Sequence, residues 1–130
     1  APGNLSMGAD VDARGVGTNG AGGEVTLDVG RGTISVANKI NTSGAQGGGT
    51  VSIDGANGIT LAERITATGS AATGGDVTLT ARGAQDALIV VTSDGSINAD
   101  GGGAEGEGGQ LTIDACRMRI DSRGTAQSLT

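Results

Sequence analysis

Fourteen carboxylates, eight cations, one thiol and many hydroxyls are the groups with which this chain could do chemistry, and it has no histidine. That removes Ser-His-Asp triads, Cys-His pairs and imidazole metal sites. Any catalysis would rest on carboxylates with Arg or Lys. Two constellations have suitable types: Asp54 with Glu63 and Arg64, and Asp28 with Arg31, as acid, base and charge stabiliser for sugar-chain cleavage. There is no Phe, Tyr or Trp to form a platform for a sugar ring. The same charges serve equally as a solvated rim, and no enzyme activity is expected.

Oxygen-bearing residues recur in rows. Thr26, Ser52, Thr78 and Thr112 occupy one repeated position, where Thr and Ser favour extended backbone and hydrogen-bond to their neighbours. A second row, Asp12, Asn41, Thr66, Asn98 and Asp121, is rich enough in oxygen to suggest calcium. Hard cations need six or more converging oxygens, and no Gly-Gly-x-Gly-x-Asp nonapeptide is present. Neither a metal nor any other cofactor is therefore expected. Asn4-Leu5-Ser6 and Asn41-Thr42-Ser43 match the glycosylation sequon, a short pattern that arises readily by chance in a Ser/Thr-rich chain. Cys116 cannot form an intrachain disulfide, and its alignment with Val36 and Leu61 predicts a small buried apolar residue.

The elements that would position these rows must be built without aromatics. Each aromatic normally buries ~150–250 Å², so the core must come from thin layers of Val, Ile, Leu and Ala. Twenty-seven glycines in 130 residues mean either low complexity or a repeat. A net charge of −6 argues against nucleic acid and against anionic lipid, and no apolar run approaches the ~18–20 residues of a membrane span.

The repeat is present. Gly-Gly-x-apolar-Thr/Ser-apolar occurs with Val25 and Leu27, Val51 and Ile53, Val77 and Leu79, and Leu111 and Ile113. A second segment carries Leu5 and Met7, Ile34 and Val36, and Ile59 and Leu61, then decays to Val91-Thr92-Ser93 and Asp114-Ala115-Cys116. A third is anchored by Val11, Ile40, Ile65, Ile97 and Ile120, each followed by Gly four residues on. Alternation over three residues is the period of a strand with one buried face. Three short strands per repeat, separated by Gly-rich corners, predict an all-β, three-sided parallel β-helix, or β-solenoid, of about four to five coils. The coils fall at about 5–22 (partial), 23–48, 49–74, 75–108 and 109–130 (partial), within a single domain over 1–130. Glycines at the corners are expected to supply positive φ and to let coils approach closely. The register of the segment around 84–93 stays ambiguous by two residues.

Gly-Gly-x-Val-Thr-Leu, followed by Gly-x-Ile-Ser/Thr-Val/Leu and Ile-x-Thr/Ala-x-Gly, resembles the haemagglutinin-type repeats of the filamentous haemagglutinin-like exoproteins and adhesins of bacteria, over about residues 3–124. The resemblance implies a right-handed β-helix displayed outside the cell or on its surface. It also implies, as an alternative function, a segment of a secreted adhesin that binds host or surface glycans.

Both ends continue the repeat rather than capping it. Gly3-Asn4-Leu5-Ser6-Met7 matches Gly32-Thr33-Ile34-Ser35-Val36, and Ser128-Leu129-Thr130 is placed where a further coil would begin. Solenoid ends without caps expose unpaired strand edges. The first expectation is thus a structural subunit polymerising head to tail, its partner a further copy of itself. The head would present Leu5, Met7, Asp10 and Val11, and the tail Cys116, Arg119, Ile120 and Leu129. In that register Ile120 stacks on Val11 and Arg119 lies near Asp10, while Asp121 meets Asp12 and Arg123 meets Arg14.

Overall fold

The computed structural model describes residues 3–83, 85–103, 106–121 and 125–127. The strands are β1 (Leu5–Ser6), β2 (Val11–Asp12), β3 (Glu24–Val29), β4 (Thr33–Val36), β5 (Ile40–Asn41), β6 (Thr50–Gly55), β7 (Gly58–Leu61), β8 (Arg64–Thr66), β9 (Asp76–Ala81), β10 (Leu88–Val91), β11 (Ser96–Asn98), β12 (Gln110–Ala115), β13 (Arg117–Ile120) and β14 (Thr125–Gln127). Most are built on alternating polar and β-branched residues, which fit a pleated surface with one side buried.

The strands sort into three parallel sheets. Sheet 1 runs β1-β4-β7-β10-β13, sheet 2 runs β2-β5-β8-β11-β14, and sheet 3 runs β3-β6-β9-β12. Each strand pairs only with its counterparts in neighbouring coils, and the chain visits sheets 1, 2 and 3 in turn. The molecule is a β-solenoid of about four turns, with no helix among the described residues. Its core is a set of like-on-like columns: Ile34, Ile59 and Ile89; Val36, Leu61 and Val91; Ile40, Ile65 and Ile97; Val51 and Val77; Ile53 and Leu79. All of these are essentially without solvent exposure. Val25 is buried too, while Leu27, Leu111 and Ile113, in the outermost layers of sheet 3, are only partly covered.

Register settles the segment from 84 to 93. Ile89 and Val91 pair with Ile59 and Leu61, so the inward-outward-inward triplet is Ile89-Val90-Val91, not Val91-Thr92-Ser93. The final coil requires a larger correction. Asp114 and Ala115 belong to β12, the chain bends at Cys116, and Met118 and Ile120 pair with Ile89 and Val91. Ile120 therefore stands in the column of Val36 and Leu61, and the backbone of Ile97 pairs with Ala126 in β14. Cys116 is exposed at the bend instead of buried. The connection from sheet 3 to sheet 1 varies from one residue here to six at 82–87, so spacing alone could not assign these strands.

The paired glycines ahead of the sheet 3 strands act through close approach. Positive φ is found at Gly17, Gly32, Gly47, Gly58 and Gly103, not at Gly48-Gly49 or Gly74-Gly75. A Cβ on Gly49 would run into the carbonyl of Gly23, and one on Gly75 into that of Gly49. These glycines also close the loops that follow sheet 2. Gly23 N–H donates to Ala13 O at 2.7 Å, Gly49 to Thr42 at 2.6 Å, Gly75 to Ala67 at 2.6 Å and Gly109 to Ala99 at 2.7 Å. The same neck thus shuts loops of different length, 14–22, 43–48, 68–74 and 100–108, and the strands beyond stay in register.

Candidate functional site

The solenoid's lateral faces carry the polar rows. On sheet 3, Thr26, Ser52, Thr78 and Thr112 stand in register with side chains outward. Asp28 pairs directly with Asp54, both exposed. Arg31 and Arg64 are exposed and Glu63 is half-buried, with Arg31 on the turn after β3 and Glu63-Arg64 at the start of β8. Asp12, Asn41, Thr66 and Asn98 form a row on sheet 2, but Asp121 does not continue it, because it follows a sheet 1 strand; the backbone partner of Asn98 is Gln127. Among the described residues no three His, Cys, Asp or Glu side chains converge as metal ligands would. The sequon asparagines are occupied locally: Asn4 Oδ1 accepts from Thr33 N–H at 3.0 Å, and Asn41 Oδ1 from Ser43 N–H at 3.0 Å.

Apart from Val16 on the loop after β2, the exposed large apolar side chains among the described residues lie at the C-terminal end of the rod. In β13, Met118 is 41% exposed and Ile120 48% exposed, whereas Ile89 and Val91 directly beneath them are wholly buried. The chemistry of the column is unchanged. What differs is that no described strand lies on the outer edge of β13. Arg119, between them, holds Asp121 at 2.9 Å, and that hydrogen bond raises the guanidinium pKa. In β12 below, Leu111, Ile113 and Ala115 are half-buried, while Val77, Leu79 and Ala81 in the previous coil are fully buried.

The N-terminal end is built differently. Leu5 and Val11 are half-exposed and Met7 is 8% exposed. The first coil has strands of only two residues, and side chains supplement its ladder. Asn38 Nδ2 donates to Met7 O at 2.7 Å, and Asp10 Oδ1 accepts from Lys39 N–H at 2.9 Å. Arg14 binds Asp12 at 2.7 Å, and this hydrogen bond holds the Asp12 carboxyl below the usual carboxylate range.

The structure thus places Leu5, Met7, Asp10 and Val11 in the first coil, and Arg119 and Ile120 in the last. Cys116 lies on the bend before β13, and Leu129 falls outside the described residues. The sequence reading missed Met118, although the alternation Met118-Arg119-Ile120 carried the signal. No family model, curated protein or solved structure matches the chain.

Proposed function

We propose that the chain is a structural β-solenoid subunit that assembles end to end into an extracellular or cell-surface filament. The observation that carries this reading is the exposure of Met118 and Ile120 at positions that are closed in every inner coil. A second copy laid with its β1 on β13 sets Leu5 over Met118 and Met7 over Ile120, since Leu5 shares the column of Ile34, Ile59 and Ile89. Arg117 and Arg119 then meet Asn4 and Ser6, and Asp121 meets Gly8. Asp121 follows a sheet 1 strand and so does not lie over Asp12, which is on sheet 2. A heterologous contact that does not close a ring builds an open filament. The extracellular setting rests on the resemblance to haemagglutinin-type repeats.

Electron microscopy and sedimentation of these 130 residues test the reading. Filaments should form at high protein concentration. The double substitution Met118→Lys with Ile120→Lys should abolish them while circular dichroism of the central coils is retained. A wild-type chain that stays monomeric at high concentration overturns the proposal.

A second reading, a glycan-binding segment of a larger adhesin, draws on the open depression of about 250 Å³ on sheet 2. There Lys39 and Arg64, each one residue ahead of the paired Ile40 and Ile65, lie beside Asn41 and Thr66, with Asp10 and the Asp12–Arg14 pair on the same depression. Binding of acidic glycans that is lost in a Lys39→Ala, Arg64→Ala variant would favour it.

A further inference from the structure

Of the six asparagines in the chain, two, Asn19 and Asn57, are followed by glycine. The other four are tied down by their side chains. Asn4, Asn41 and Asn98 accept from the backbone N–H groups of Thr33, Ser43 and Asp100, and Asn38 donates to Met7 O. Asn19 and Asn57 are exposed, and among the described residues their carboxamides have no hydrogen-bond partner. An untethered carboxamide is an electrophile, and the nearest nucleophile is the peptide nitrogen of the next residue. Glycine leaves that nitrogen unshielded because it has no Cβ. Attack forms an N–Cγ bond, expels the side-chain nitrogen as ammonia together with the peptide proton, and closes a cyclic imide. Water then opens the ring at either carbonyl. Opening at the side-chain carbonyl gives aspartate, and opening at the main-chain carbonyl gives isoaspartate, with one more methylene in the backbone.

The fold treats the two sites differently. Asn57 sits in the turn between β6 and β7, where its own N–H donates to Gly32 O at 2.8 Å. Gly58 is buried and opens β7 in register with Thr33 on one side and Leu88 on the other. Ring closure needs the main chain to rotate at this point, and the ladder holds it. Asn19 stands in the loop 14–22, outside the strands. The attacking nitrogen, that of Gly20, has only a long bond of 3.4 Å to Gly17 O. Gln46 reaches Thr18 O and Gly20 O, and neither bond engages that nitrogen or the Asn19 carboxamide. An added methylene can be absorbed here, because the neck bond from Gly23 N–H to Ala13 O closes a loop of free length.

We infer that Asn19 is a site of spontaneous modification, converted through Gly20 N and water into aspartate and isoaspartate, while Asn57 is protected by its place at the head of β7. The product adds one negative charge to a chain of net −6 and keeps its coils. The reaction needs no partner and is independent of how copies of the chain associate.

The test holds the folded 130-residue chain in mildly alkaline buffer and follows its tryptic peptides by mass spectrometry. Residues 15–31 carry Asn19, and residues 40–64 carry Asn57, which fragmentation separates from Asn41. Acid should accumulate at Asn19 at least tenfold faster than at Asn57. The rate at Asn19 should also climb with pH, because the attacking nitrogen must lose its proton. In denaturant the two rates should converge, since each asparagine then has only its glycine beside it. Asn19→Gln, whose longer side chain must close a larger ring, should leave the peptide 15–31 unmodified over the same period. Asn19→Asp should keep the circular dichroism spectrum and melting temperature of the parent chain. An Asn19 that stays intact in the folded chain while the denatured chain reacts would overturn the inference. Equal rates at the two sites in the folded chain would do the same, as would loss of the fold in Asn19→Asp.

Discussion

Single residues in this fold act through the column to which they belong. Ile65 is wholly buried between Ile40 and Ile97, so Ile65→Asp sets a carboxylate among aliphatics and should cost several kcal/mol. Thr66→Asp, on the outward side of the same strand, should be nearly silent; equal losses in thermal unfolding would contradict the inward and outward assignment. Thr42 is the converse case: it is fully buried, and its hydroxyl has no hydrogen-bond partner. Replacing it with the near-isosteric Val removes an unsatisfied group and should stabilise the protein by about 1 kcal/mol in denaturant titration. Asp12 is exposed to solvent, so its lowered pKa implies only a small pH effect. That contribution is present above the unfolded pKa and is lost as pH falls through the folded one. Inward and outward positions such as Ile65 and Thr66 were legible in the sequence because period-two alternation is a local property. The orphaned hydroxyl of Thr42 was not, since burial without a partner depends on coils about 25 residues apart.

At the scale of the element, a coil combines rigid corners with loops of free length. The neck hydrogen bond, Gly75 N–H to Ala67 O in the third coil, returns the chain to the same point whatever lies between. Inserting several Gly and Ser residues within 100–108 should therefore cost little, since each doubling of loop length adds only ~0.6 kcal/mol. Gly75→Ala should be far more harmful, because its Cβ meets the carbonyl of Gly49 in the neighbouring coil. Comparing the two melting temperatures checks the assignment, and a costly insertion with a harmless alanine would refute it. Corner glycines were visible in the sequence, but their reason was only half legible. Positive φ and close approach select the same residue, and only the backbone geometry shows that Gly49 and Gly75 serve the second. The final coil was misassigned for a related reason. Ile120-Asp121-Ser122 copies the form of Ile40-Asn41-Thr42, a sheet 2 segment, while the chain at Ile120 has only reached sheet 1.

For the whole molecule, association is set by weak attraction at the joint against repulsion between rods. The side chains of Met118 and Ile120 are about half-exposed, and burying the remainder contributes about 2 kcal/mol in all at ~25 cal/mol per Å². That is below the ~4 kcal/mol or more needed to offset lost translational and rotational freedom, so the strand ladder across the joint must supply the rest. Such a balance is sensitive to charge. Each copy carries a net −6, while the described joint is almost neutral: Arg117 and Arg119 stand with Asp121 at the tail, and Arg14 with Asp10 and Asp12 at the head. Salt should therefore screen the repulsion between rods more than it weakens the joint. Raising ionic strength from about 0.01 M to about 0.1 M shortens the screening length from ~30 to ~10 Å, about the scale of a subunit built from a few ~4.8 Å layers. The concentration at which filaments appear, followed by light scattering, should fall over that range. A threshold that rises with salt would mean that ion pairs across the joint, not stacked aliphatics, hold the copies together.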